Sequence, residues 1–247
     1  PKTLSFETIT PEWLQEFEQY KTEVKGQSIS TVGAYTRQLK AIFNEAREQD
    51  FTTNYPFGKR KYQTPNSRKA KRALNADELQ TLLQAEPANT YQEKAKDFFV
   101  LSLALYGINL NDLLMLKNRD IGQEQIAFYR GKTAHTTREN LTPITIPLTE
   151  KAKTLLDKYR NPDASRNALA LNILTAEPGS AEAKRETSNF TRYINQHLKR
   201  LAKAHGLPNE LSYQWARHTF ATLSVQQGAS LEFISEALGH NDIKTTK

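Results

Sequence analysis

Ser212-Tyr-Gln-Trp-Ala-Arg-His-Thr-Phe-Ala221, followed by Gly228 and then by Leu238-Gly239-His240-Asn241-Asp242-Ile243-Lys244-Thr245-Thr246, places Arg217 and His218 side by side on one expected helix, 213–227. The pair lies between an aromatic residue and the apolar run Phe220, Ala221 and Leu223. A guanidinium is planar, permanently charged, and offers paired donors that match two oxygens of a phosphate. Taken alone, an Arg–His pair is also what a helix with one surface arginine and one core-edge histidine looks like. The rest of the chain decides between these.

Lys and Arg outnumber Asp and Glu by 34 to 27, a net charge of +7, and the pI is near 9.4. Such a balance favours polyanionic partners, mainly nucleic acid or an acidic membrane surface. With no cysteine, disulfides, thiolate metal sites and cysteine nucleophiles are excluded together, which agrees with a reducing compartment. The longest apolar run, Phe98 to Tyr106, is too short to span a bilayer, and no signal-peptide pattern opens the chain. The expected location is therefore the bacterial cytoplasm, in association with the nucleoid, with no membrane partner. His135, His197, His205, His218 and His240 show no zinc-ligand spacing, and there is no Gly-rich phosphate loop, HExxH, GxSxG or EF-hand pattern. The chemistry is expected to need no metal and no cofactor.

Thr10-Pro11-Glu12 reads as a helix start, with a capping side chain, proline at the first helical position and an acid at the positive end. Helix 12–25 carries Trp13, Leu14, Phe17 and Tyr20 and stops at Gly26; Ser30 is expected to cap a second helix, 31–49. That helix would bury Val32, Tyr35, Leu39, Ile42, Phe43 and Ala46. Residues 1–55 thus form a small helical domain. The proline-containing, acid-free stretch 56–72 reads as a basic linker, with Lys59, Arg60, Lys61, Arg68, Lys69, Lys71 and Arg72. A second domain, 73–247, opens on the Asn75/Glu78 capping box. Helices are expected over 76–85, 91–106, 149–160, 186–204, 213–227 and 230–238, with a short one after Gly107 carrying Leu110, Leu113 and Leu114. Ile126–Arg130 and Leu141–Leu148 alternate as strands around the polar loop 131–140, a hairpin. The fold class is mainly α with a small antiparallel β-sheet.

Arg217-His218-Thr-Phe-Ala-Thr222, then Gly228, then Leu238-Gly239-His240 closely resembles the C-terminal signature of the tyrosine recombinase (phage integrase) family, of the mobile-element integrase type. The resemblance spans nearly the whole chain, strongest over 217–246 and weakest before residue 70. It implies a SAM-like all-α N-terminal domain and a tyrosine-recombinase catalytic domain. It also implies that Arg217 clamps a scissile phosphate, that His240 hydrogen-bonds it, and that His218 supports the pair. Tyr129-Arg130-Gly131-Lys132-Thr133 resembles the family's β-hairpin, whose lysine, here Lys132, is the general acid for the leaving 5′ oxygen. Thr31, Tyr35, Arg37 and Lys40 on the second helix, with the basic linker residues, would bind the DNA backbone; for Tyr35 a place in the core is an equal alternative.

The chain departs from the family at three places. Tyr106-Gly-Ile-Asn-Leu-Asn-Asp112 aligns with a motif that usually has Arg where Asn109 stands; Asp112 retains the acid three residues later. A neutral Asn109 cannot neutralise a phosphate, and Arg130 and Arg138 are the cations available to compensate. Gln214 stands where the family commonly has histidine; it can donate a hydrogen bond but cannot relay a proton as imidazole does. The nucleophilic tyrosine would fall at position 249, past Lys247, so the polypeptide as given is expected to be truncated before it and inactive in cleavage. The implied activity is that of a site-specific DNA recombinase that cuts and rejoins duplex attachment sites through a 3′-phosphotyrosyl intermediate. Its implied partners are double-stranded DNA, three further copies in a homotetramer on DNA, and accessory DNA-bending proteins, with a monomer expected for these 247 residues. Two readings stay open beside it: a non-catalytic DNA-binding protein on the same scaffold, and a type IB topoisomerase-like nicking enzyme.

Overall fold

The computed structural model describes residues 4–66, 72–131 and 143–239, and divides into two compact units, 1–70 and 71–247. In the first, Thr10 accepts a hydrogen bond from the Trp13 N–H at 3.2 Å and Pro11 opens α1 (Pro11–Gln19). The helix widens into a π-turn over Tyr20–Val24, and Gly26, at φ +60°, ends it. Ser28, not Ser30, caps α2 (Ile29–Glu48), accepting from the Thr31 N–H at 3.3 Å.

The buried face of α2 is narrower than its sequence suggests. Val32, Thr36, Phe43 and Ala46 are buried, whereas Tyr35 is 42% and Ile42 56% exposed. The reason is geometric: 32, 36, 39, 43 and 46 form one seam spaced by threes and fours, and 35 and 42 flank it. Among the described residues this small unit leaves both flanks partly open. Its core instead comes from Ile9, Leu14, Phe43, Phe57 and Tyr62. Phe43 meets Phe6, Tyr55 and Phe57 edge-to-face at 5.0, 6.5 and 5.7 Å. The Tyr62 hydroxyl donates to Glu18 Oε2 at 2.6 Å. The linker reading is thereby corrected at its start: Phe57 and Tyr62 are core residues of the first unit.

In the second unit the capping box forms as expected, with Asn75 Oδ1 accepting from the Glu78 N–H at 2.8 Å and Glu78 Oε2 from the Asn75 N–H at 2.9 Å. It opens α3 (Ala76–Gln84). Helix α4 (Thr90–Ala104) buries Phe98, Phe99 and Leu101 completely and packs against α6 (Glu150–Lys158), α7 (Ala181–Ala204) and α8 (Tyr213–Gln226). Short α5 (Leu110–Leu114) inserts Leu110, Leu113 and Leu114 into the same core. Strands β1 (Gln125–Phe128) and β2 (Ile144–Pro147) pair antiparallel, with Ile126 opposite Ile146. Helix α9 (Leu231–Ala237) packs against α8 and β2. Helix α7 begins five residues before its expected start because Ser180 caps it, accepting from the Ala183 N–H at 3.0 Å. Among the described residues the chain is mainly helical with a two-stranded antiparallel sheet, and no helix is long and apolar enough to cross a membrane.

Candidate functional site

Arg217 points inward from α8, and its residue is only 7% exposed. Burial of a guanidinium demands acceptors. Its Nη1 donates to the Gly107 carbonyl at 2.9 Å, and its Nη2 to the Leu238 carbonyl. The approach of α8 to the α4–α5 turn is possible because residue 107 is glycine. Gly107 has φ +73°, and a Cβ there would lie 2.7 Å from Arg217 Cα. Burial, and next the charge of Arg130, push the Arg217 guanidinium down to about 10; Asp112 acts in the opposite direction.

Arg130 leaves the end of β1 and enters the same region. Its Nη1 donates to the Gly239 carbonyl at 2.7 Å and its Nε lies 3.8 Å from Asp112 Oδ2, with a side chain 15% exposed. Asp112, on α5, also accepts the Gly131 N–H at 3.2 Å. Burial raises the Asp112 carboxyl above its ordinary range, while that N–H and the charges of Arg130 and Arg217 pull it back. Arg130 and Asp112 therefore hold Gly239 and Gly131, the residues that immediately precede His240 and Lys132 in the chain. His240 and Lys132 themselves, like Arg138, lie outside the described residues.

The remaining expected site residues divide clearly. Asn109 is the cap of α5, its Oδ1 accepting from the Asn111 N–H at 3.0 Å. Gln214 is exposed and His218 half-buried on α8. Tyr213 turns away from the surface: its hydroxyl donates to the Ile108 carbonyl at 3.0 Å, an acceptor shared with Ser102 Oγ, and burial raises its phenol.

In the first unit, Tyr35 and Arg37 are exposed, and Thr31 and Lys40 half-buried. The alternative of a core Tyr35 is thus excluded; the Lys21 ammonium lies 5.6 Å from its ring centroid and 5.4 Å from that of Phe17. Lys21 stands four residues after Phe17 along α1 and the π-turn, a spacing that brings the two side chains together. Lys59, Arg60 and Lys61 are exposed, with Lys61 Nζ bonded to the Tyr55 carbonyl. Arg72 pairs with Glu210 at 3.0 Å, and Arg68, Lys69 and Lys71 lie outside the described residues.

Residues 72–247 match the model of the phage integrase family, and residues 1–63 that of the phage integrase SAM-like domain. Tyrosine recombinase XerD of Oceanobacillus iheyensis is 24% identical over all of this chain and 79% of its own length. Tyrosine recombinase XerA of Saccharolobus solfataricus is 30% identical over 73% of this chain and 52% of its own. Among solved structures, the Tn1549 transposon integrase in complex with circular intermediate DNA superposes with a TM-score of 0.69 at 18% identity, covering 98% of this chain and 81% of that one. A lambda integrase dimer bound to a COC' core site gives 0.66 at 20% identity, covering 100% and 81%. A lambda integrase tetramer bound to a Holliday junction gives 0.61 at 20%, covering 96% and 65%.

Proposed function

Because this chain belongs to the phage integrase family of tyrosine recombinases, with a SAM-like N-terminal domain, we propose that it is a site-specific DNA recombinase acting on duplex attachment sites. The observation that carries the proposal is Arg217: a buried guanidinium held by the Gly107 and Leu238 carbonyls, in the segment whose sequence resembles the family's phosphate clamp.

In this reading the tyrosine that gives the family its name attacks the scissile phosphorus. A phosphorus–tyrosyl oxygen bond forms as the phenol gives up its proton to a basic group or water, the bond to the 5′ oxygen breaks, and Lys132 gives that oxygen a proton. A 5′ hydroxyl of the partner strand then attacks the same phosphorus and releases the tyrosine. The covalent intermediate retains the energy of the phosphodiester, so the exchange needs no nucleotide hydrolysis. Arg217 supplies charge-assisted hydrogen bonds to the phosphate oxygens as negative charge builds, and His240 adds another donor. Four protomers acting together on two duplexes complete the exchange. Thr31, Tyr35, Arg37, Lys40 and the basic residues from Lys59 to Arg72 bind the backbone, which sets position more than sequence.

The test uses the full-length protein and a nicked attachment-site duplex that traps the covalent adduct. Arg217→Ala is expected to reduce adduct formation on the order of 100- to 1000-fold, the loss typical of a missing transition-state donor, with duplex binding little changed. Comparable adduct from the variant would remove Arg217 from the site. The neutral Asn109 and exposed Gln214 favour one second reading, a DNA-binding protein without strand transfer. Duplex binding without any adduct from the unaltered protein would establish it.

A further inference from the structure

We infer that Arg130 is the second phosphate-binding cation of this site, supplying from the hairpin the charge that the family's first motif carries at position 109. The inference rests on the strand-transfer reading above. It starts from a vacancy in charge: residue 109 is a neutral asparagine whose side chain is occupied in capping α5. The acid that accompanies this motif has been kept. Asp112 is largely buried, and a buried carboxylate needs a cation or donors nearby. Arg130 Nε stands 3.8 Å from it.

The geometry then brings Arg130 to Arg217. Arg130 Nη1 donates to the carbonyl of Gly239, and Arg217 Nη2 to the carbonyl of Leu238. Two guanidiniums, one from β1 and one from α8, thus dock on successive carbonyls of the turn that follows α9. Gly239, at φ +61°, permits this crowding, since a Cβ there would come within 3.2 Å of Arg130 Cδ and 2.4 Å of Ile144 Cδ1. The charge of Arg130 is felt at Arg217, where it disfavours the protonated form. Two guanidiniums and one carboxylate thus converge at largely buried positions beside the same turn. A phosphate, and more so a pentacoordinate phosphorane with a further negative charge, is the anion that paired forks fit.

A purely structural Arg130, bracing Asp112 to the 238–239 turn, is the rival to exclude. The experiment uses the full-length protein and compares two nicked duplexes that differ only at the cut position, one an ordinary phosphodiester and one an uncharged methylphosphonate. Arg130→Gln keeps a donor for the Gly239 carbonyl but removes the charge. It is expected to slow adduct formation on the order of 100-fold on the phosphodiester and less than about 5-fold on the methylphosphonate. Arg130→Lys, which keeps the charge and loses the fork, should fall between Arg130→Gln and the unaltered protein on the phosphodiester. Equal losses on both duplexes, or no loss on either, would overturn the inference, because a brace does not sense the charge of the phosphate. Unaltered protein that bound both duplexes and formed adduct with neither would instead sink the strand-transfer reading, and this inference with it.

Discussion

Gly107 shows how much of the site depends on a side chain that is missing. Its φ of +73° is a conformation that L-residues adopt at a cost, and a Cβ would collide with the backbone of Arg217 at 2.7 Å. Gly107→Ala is therefore expected to destabilise the second unit by about 2 kcal/mol or more, from backbone strain and overpacking together, and to displace Arg217. Denaturant unfolding checks the first effect, and adduct trapping the second. At Asn109 two roles compete. Asn109→Arg would restore the family's cation but remove the cap on the Asn111 N–H, a loss of about 1 kcal/mol in the same measurement. If activity nevertheless holds or rises in Asn109→Arg, the pocket still accepts a cation from that side. A loss of activity beyond the loss of stability would mean that Arg130 already fills the space.

Elements were legible where their ends carry chemistry. Thr10-Pro11 and the Asn75/Glu78 box place two helix starts within a residue, because capping is a local matter of side-chain oxygen and free N–H. Faces were less legible. The seam of α2 excludes Tyr35 and Ile42, and nothing local reveals which of its apolar positions the rest of the unit covers. Helix α8 shows the converse. Thr219 is a polar residue with no exposure, and its Oγ1 accepts the N–H of Leu74 at 2.9 Å, a contact across 145 positions of chain. Thr219→Val preserves shape and strands that N–H, so a cost of about 1–3 kcal/mol is expected. A variant as stable as the parent would show that another acceptor reaches Leu74.

At the scale of the whole molecule, a net charge of +7 and the basic stretch from Lys59 to Arg72 bear on association with DNA. Duplex affinity is expected to fall by about 10³-fold or more between roughly 50 and 200 mM salt if six or more phosphates are neutralised. Binding indifferent to salt would assign the basic charge to another partner. The sequence by itself determined the family, the mainly helical class, the hairpin and Arg217 as the leading candidate, because motif order, capping residues and period-two or period-3.6 patterning are written in neighbouring positions. What only the tertiary structure decided is which groups share a place. It put Phe57 and Tyr62 in the first core instead of a linker, and it exposed Tyr35. It also brought Arg130, from a strand end, to Asp112 on α5 and to the carbonyl beside the one that Arg217 holds. Those meetings join residues tens to more than a hundred positions apart, and their energies depend on burial and on distances of a few ångströms that no local pattern encodes.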